Sequence, residues 1–320
     1  MAINDQLTLI ELAKRTNNGE FLMIAEALNQ INEIMQDAVW VESNQAISHV
    51  GSIRTSLPSG TWRRFNKGID KHASTTKQVT EVMGMLEDYS VVDVALAEIS
   101  GNAKQFRSQE DLAFIEGMSQ SFIGAIFYGD LSDEIDSFNG LAQRYDELTD
   151  DGVWNAGGSG SDTTSAWFID WSPRYVHLIY PKGASFAGVQ RTDLGQRPAY
   201  DASSKPFEAW WTHFKIAGGL YVKDARAVQR IVNIETTGST NLFDEDLGIA
   251  ALNALPIPGG GPGLKMYVNR TVKTQIDIIA KDKNNVFYPI NDAFGRKVTS
   301  FRGVPIRVCE QILDTETALS

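Results

Sequence analysis

Cysteine occurs once in the 320 residues, at Cys309, so no disulfide can form within the chain. That usage fits synthesis in a reducing compartment. No apolar run approaches the ~20 residues that span a bilayer. The opening MAINDQLTLIELAKR lacks the basic-then-apolar order of a secretory signal, which points to a cytosolic product. Bases are outnumbered, 29 Lys and Arg against 40 Asp and Glu, for a formal charge of -11. A chain that grips nucleic acid as its main task carries a basic footprint instead. With 42% hydrophobic and 22% charged residues, there is material for one large domain or two modest ones. No internal repeat is visible.

Residues that do chemistry are equally sparse. His49, His72, His177 and His213 are scattered without metal-ligand spacing, so each is expected to be a hydrogen-bonded surface or strand residue. Gly259-Gly-Gly-Pro-Gly-Leu-Lys265 lacks the Gly-Lys-Ser/Thr ending of a phosphate loop and carries a proline where N–H donors are needed; it predicts a turn. Gly157-Gly-Ser-Gly-Ser161 is not a nucleophile elbow, because position 161 is serine. Cys309 follows a strand pattern and is expected to pack rather than react. Asp130, Asp133, Glu134 and Asp136 cluster without the Gly and Glu positions of a calcium loop. The expectation is a protein with no catalytic residue, no cofactor and no metal.

What the chain does contain is ordered. Asn4 or Asp5 can cap a first helix, Thr8 with Glu11 also fits a capping box, and Gly19 ends it; Ile24, Leu28, Ile31 and Met35 form a one-face stripe on a second. That second helix either packs on its own domain or forms an arm that reaches a neighbour. Residues 89–96 predict a buried strand. Ser108-Gln-Glu-Asp111 predicts the start of a helix ending at Tyr128, with Leu112, Ile115, Met118, Phe122 and Ile126 as its apolar stripe. A polar, glycine-rich stretch, 150–165, precedes a mixed α/β pattern. Strands are expected at 167–171, 175–180, 207–216 and 265–269, and helices at 243–255 and 272–281. Residues 227–234 read as a strand or a short helix, a hairpin is expected around 293–295, and 304–308 should be a strand at an edge or bulge because of Pro305.

Charge is segregated along the chain. Between 47 and 80 stand Arg54, Arg63, Arg64, Lys67, Lys71 and Lys77 against Asp70, a balance of +5, with Trp62 and Phe65 among them. So few apolar residues cannot bury the segment, and its turn signals predict an extended hairpin. Between 81 and 150 the balance reverses to -12, fifteen acids against Lys104, Arg107 and Arg144. The basic hairpin is open to three readings: a solvated loop, a nucleic-acid contact, or a contact with an acidic surface of another copy. The acidic stretch favours the third, since complementary charge steers association and sets its register. The contact candidates are then Arg54, Trp62, Arg63, Arg64, Phe65, Lys67 and Lys71 on one side and Asp130, Asp133, Glu134 and Asp136 on the other.

Three strings carry a family resemblance: Phe127-Tyr-Gly-Asp130, Phe138-Asn-Gly-Leu-Ala-Gln-Arg-Tyr145 and Phe301-Arg-Gly-Val-Pro-Ile-Arg-Val-Cys309. Together with the order of parts, they resemble the major capsid proteins of tailed bacteriophages, the Hong Kong 97 fold. The resemblance implies an α+β chain with an N-terminal arm (1–45), an extended loop (46–88) and a peripheral domain (89–165) on a spine helix (108–128). It implies further an axial domain (166–300) and a closing strand and tail (301–320), with completion of the peripheral domain by the strand 301–309 left open. The partners it implies are copies of the chain in pentamers and hexamers around double-stranded DNA touched weakly and nonspecifically. Portal and decoration proteins, and a separate scaffolding protein or a precursor piece outside this sequence, complete the set. Synthesis in the host cytoplasm and residence in the virion follow, and no Lys–Asn crosslink is expected. An encapsulin-like shell around a cargo enzyme shares the fold. A cytosolic α/β hydrolase or carbohydrate-binding protein would need a converging set of groups that no motif supplies.

Overall fold

The computed structural model describes residues 16–17, 20–21, 33–99, 101–184, 188–282 and 300–320. In chain order the elements are β1 (Thr16–Asn17), β2 (Glu20–Phe21), α1 (Ile34–Asp37), β3 (Trp40–Glu42), β4 (Ser48–Ser56), β5 (Thr75–Val82) and β6 (Gly84–Asp93). Then come α2 (Val94–Ile99), α3 (Ala103–Tyr128), β7 (Val153–Asn155), β8 (Thr163–Asp170), β9 (Val176–Tyr180), β10 (Val189–Tyr200), β11 (Pro206–Val222) and β12 (Val228–Glu235). The chain closes with α4 (Glu245–Ala254), β13 (Leu264–Val268), α5 (Arg270–Asp282), β14 (Ser300–Phe301) and β15 (Val304–Val308).

The spine helix α3 starts at Ala103, five residues before the expected Ser108. Gly101, at φ +76°, makes the turn, and Asn102 caps the helix by accepting from the Gln105 N–H at 3.2 Å. Ser108 to Asp111 therefore lies inside the helix, where the buried Asp111 carboxylate accepts instead from Arg191 Nε of β10 at 2.8 Å. At 1.5 Å per residue the 26-residue helix is about 39 Å long. Met118, Phe122 and Ile126 of the expected stripe are buried and Ile115 packs against the same core, with Ile123 and Phe127 beside them, whereas Leu112 is exposed. The strand expected over 89–96 ends at Asp93, whose carboxylate accepts from the Ala95 N–H at 2.7 Å and turns the chain into α2.

β11 is the organising strand. Over its first part it pairs antiparallel with β10 on one edge and β6 on the other, and its last four residues pair with β9, which pairs parallel with β3. The α3 face of this sheet is fixed by Phe214, stacked on Phe114 with centroids 5.7 Å apart. A second sheet has the order β14-β15-β13-β8-β12-β7. Its strand β8 is buried along its whole length, the polar Thr163, Thr164, Ser165 and Asp170 as well as the apolar stretch Ala166–Ile169. Trp167 and Ile169 join the core under α3, while Ala166 and Phe168 join the core with Leu252, Val272 and Ile276. Two cores thus share one strand. The β10–β11 hairpin lies on α3 although it follows β8 in sequence, so residue 165 does not separate the two cores.

Several local expectations change. Thr16–Asn17 pairs with Glu20–Phe21 as a short antiparallel ladder, where the first helix was expected to run to Gly19. The last part of the expected arm joins the core, with Ile34 buried and Trp40 stacked on Phe122 at 5.9 Å. Residues 227–234 resolve as a single 3-10 turn over Ala225–Ala227 followed by β12. The closing strand β15 pairs parallel with β13 in the second sheet, but the residues just after it, Cys309 and Ile312, pack into the core under α3. The helix stripe Ile24, Leu28 and Ile31 and the hairpin around 293–295 lie outside the described residues.

Candidate functional site

β4 and β5 form an antiparallel hairpin in register from Ser48–Val82 to Ser56–Thr75, and residues 57–74 make its tip. Polar and β-branched residues suit strands that face water on both sides. At the tip Trp62 is 102% exposed and Phe65 94%. Arg63, Arg64, Lys67 and Lys71 of the tip and Arg54 of β4 are exposed too, and none has an ion-pair partner among the described residues. The structure therefore gathers the expected basic and aromatic candidates on one projection and gives the bases no ion-pair partner among the described residues.

The root of the hairpin is fixed by contrast. Glu81 of β5, buried, takes both guanidinium nitrogens of Arg144 at 2.7 Å each. A planar fork on a carboxylate fixes direction as well as distance. Gly51 of β4 lies so close to Tyr221 that an added Cβ would fall 1.7 Å from the tyrosine oxygen.

The acidic candidates sit in the loop after α3. Its glycines explain the string that follows. Gly140 N–H donates to the Gly129 carbonyl at 2.8 Å, and Leu141 N–H donates to the Ile126 carbonyl at 2.9 Å, so the returning chain satisfies helix-end carbonyls. Phe138 lands on Phe122 at 5.5 Å, and Asn139 accepts from the Leu131 N–H at 3.1 Å. A Cβ on Gly140 would stand 2.6 Å from the Ala125 oxygen and 2.8 Å from the Gly129 nitrogen, both backbone atoms. Gly140→Ala should therefore lower stability by roughly 1–3 kcal/mol, measured as a shifted urea midpoint of the unassembled subunit; an unchanged midpoint would show that the loop does not close this way.

The loop and the helix end enclose a groove of about 520 Å³. Met85, Leu86, Phe122 and Phe138 give it an apolar wall, and Asp130, Asp133, Glu134 and Asp136 line its acidic side. Asp130 is held below the usual carboxylate range, first by the Ser132 N–H and then by the Ser132 hydroxyl. None of the hairpin-tip residues lines this groove. The two halves of the expected contact belong to separate surfaces of one chain.

Sequence reasoning missed three arrangements that depend on distant residues. One is the Glu81–Arg144 clamp. The second centres on Glu316, whose buried carboxylate takes Arg230 Nη2 at 3.0 Å and also the hydroxyls of Ser165 and Tyr128. Arg230 donates further to the Tyr145 carbonyl at 2.7 Å and lies 4.7 Å over the Trp167 ring. Burial drives the Tyr128 hydroxyl well above its ordinary pKa, keeping it a neutral donor. An arginine among Val228, Ile231, Val232 and Ile234 was the available signal, since such a residue is almost never buried unless paired. The third brings together His49 of β4 and His177 of β9, with ring centroids 6.2 Å apart. His213 instead meets Glu87 at 3.1 Å, and His72 meets Thr61 at 3.2 Å.

Cys309 is buried and its thiol is pushed up to about 12 by desolvation. Among the described residues no group of three or more His, Cys, Asp or Glu could hold a metal, and no helix is long and apolar enough to cross a membrane.

A spine helix under a long twisted sheet, an extended basic hairpin and a second sheet sharing a core strand define a shell-forming subunit of the Hong Kong 97 class. The sequence family described as Major capsid protein GP7 matches residues 16–320. The solved capsid of bacteriophage Epsilon15 is similar over 100% of this chain and 99% of its own, at 30% identity and a TM-score of 0.74. The capsid of bacteriophage JBD30 shows the same fold at 11% identity and a TM-score of 0.50, over 95% of this chain and 99% of its own. The chain belongs to the GP7 family of major capsid proteins of tailed phages. Its place is in the virion. No curated protein sequence matches it.

Proposed function

We propose that copies of the chain close their shell by laying the hairpin tip of one subunit against the acidic groove of the next. The observation that carries this is the tip itself. Trp62 and Phe65 project into solvent among bases that have no ion-pair partner among the described residues, and large exposed aromatics mark interaction sites. The groove offers the complement, an apolar wall beside Asp130, Asp133, Glu134 and Asp136. Burial of the aromatics supplies the affinity. The charges supply encounter rate and register, each exposed pair contributing ~0–1 kcal/mol.

On this reading the core under α3 forms the periphery of each ring, and the core of the second sheet faces the ring axis. Rings are pentamers and hexamers, each interface joining unlike surfaces and closed by rotation. Double-stranded DNA fills the shell and is touched weakly and nonspecifically, in keeping with the charge of -11. Synthesis takes place in the host cytoplasm, and a separate scaffolding protein guides closure. The subunit acts through its surfaces and catalyses nothing.

Zero-length carbodiimide coupling tests the contact directly. Shells assembled from a mixture of isotopically light and heavy copies should yield mixed-label peptides joining Lys67 or Lys71 to Asp133, Glu134 or Asp136. Crosslinks from the tip that reach only other acids, or only the same copy, would overturn the assignment.

A further inference from the structure

The root of the hairpin holds two histidines that the shell contact does not use. His49 stands on β4, part of the hairpin, and His177 on β9, part of the central sheet. Both rings pack on Tyr221 of β11, at 4.7 Å and 5.2 Å between centroids. His177 is buried, and the Nδ1 atoms of both rings are buried without a hydrogen-bond partner among the described residues. Gly51, two residues along β4, lets the hairpin close onto the same tyrosine. The cluster is thus a seam between a projection and the body that carries it.

The surrounding charges decide what a proton does there. Lys223, just beyond β11, adds positive charge to both rings. Tyr221 is neutral, its hydroxyl raised above the ordinary value by burial. Glu81 is the cross-strand partner of His49 on β5, but both of its oxygens are taken by Arg144. A backbone hydrogen bond to Ser172 favours charge on His177, against larger opposing effects. No free carboxylate among the described residues faces the pair to neutralise two added protons.

We propose that His49 and His177 form a proton-operated hinge: at neutral pH the uncharged pair seats the hairpin root on β9 and β11, and acidification separates them. Charging both rings would set two cations about 6 Å apart beside Lys223. The sign follows from linkage. His177 is lowered to about 4 in the seated form, first by burial and then by the charge of His49, and His49 is lowered by burial and then by Lys223. A root released into water returns both toward about 6.5. The released form therefore binds more protons, and seating is full above that value and is lost as pH falls through 6 toward 4. For His177 alone the opening equilibrium rises on the order of 10–100-fold between pH 7.5 and 4.5.

Hydrogen exchange on the full, unassembled chain reads this hinge, with each rate corrected for the intrinsic effect of pH. Protection of 48–53 and 79–82 should fall tenfold or more between pH 7.5 and 4.5, while the buried half of α3 keeps its protection. His49→Gln and His177→Gln should each flatten that response. His49 lies on the hairpin side, so its variant stands as a test even where a change at buried His177 harms folding. A root whose protection is constant with pH, or variants that respond like the wild type, would overturn the hinge. Either outcome leaves the crosslinking test of the shell contact untouched.

Discussion

Arg230→Ala is expected to destabilise the unassembled subunit by about 3–5 kcal/mol, because it leaves the Glu316 carboxylate buried without its cation. Glu316→Ala should cost about as much, for the opposite charge is then stranded. The pair lies where β8, β12, the end of α3 and the C-terminal residues meet, with Ser165 and Tyr128 completing the carboxylate's partners. Coulomb attraction alone does not explain its presence, since desolvating two ions offsets most of that gain. Its role is to define one arrangement of four segments. The apolar double variant Arg230→Met with Glu316→Leu should therefore regain most of the lost stability. Chemical denaturation monitored by tryptophan fluorescence gives the three values. Losses below about 1 kcal/mol for both single variants would show that the site is solvated.

Reversing charge at the hairpin tip, Arg63→Glu with Arg64→Glu, should leave the subunit folded and stop it from closing shells. Both residues are exposed and outside either core, so denaturation midpoints should stay within about 0.5 kcal/mol of the parent. Against an acidic groove the same change turns attraction into repulsion at every contact. Electron microscopy at matched concentration should show rings or free subunits instead of closed particles. Asp133→Lys with Glu134→Lys in the same chain should restore closure by exchanging the charges. Normal particle yield from the tip variant alone would sink the loop-to-groove contact, and a failed rescue would move its acidic partner elsewhere.

Local patterns were legible because local physics made them. The spine helix shows its stripe, and the hairpin shows its poverty in apolar residues and its excess of bases. The start of α3 was misjudged because Asn102 and Ser108 are both able caps, and only Arg191 across the fold settles what Asp111 does. β10 went unseen because its polar residues face water and its regularity comes from pairing with β11. The Arg230–Glu316 pair, the Glu81–Arg144 clamp and the meeting of His49 with His177 join residues 86, 63 and 128 positions apart. No periodicity reports a pairing at that distance. For the candidate contact, the two charge surfaces are plain in the sequence; the groove between α3 and its returning loop needed the fold.

The C-terminal residues give the subunit a clock. Glu316 N–H donates to the Thr163 carbonyl, Thr164 donates to the Leu313 carbonyl, and Leu319 N–H donates to the Asn233 side chain. Glu316 meets Tyr128 across 188 residues of sequence. At roughly 5–20 residues per second, a ribosome spends about 10–40 s between making those two partners. Through that interval the spine helix lacks the carboxylate that its last residue meets. Until Glu316 is made, Arg230, Ser165 and the last residue of the spine helix, Tyr128, lack the carboxylate that joins them.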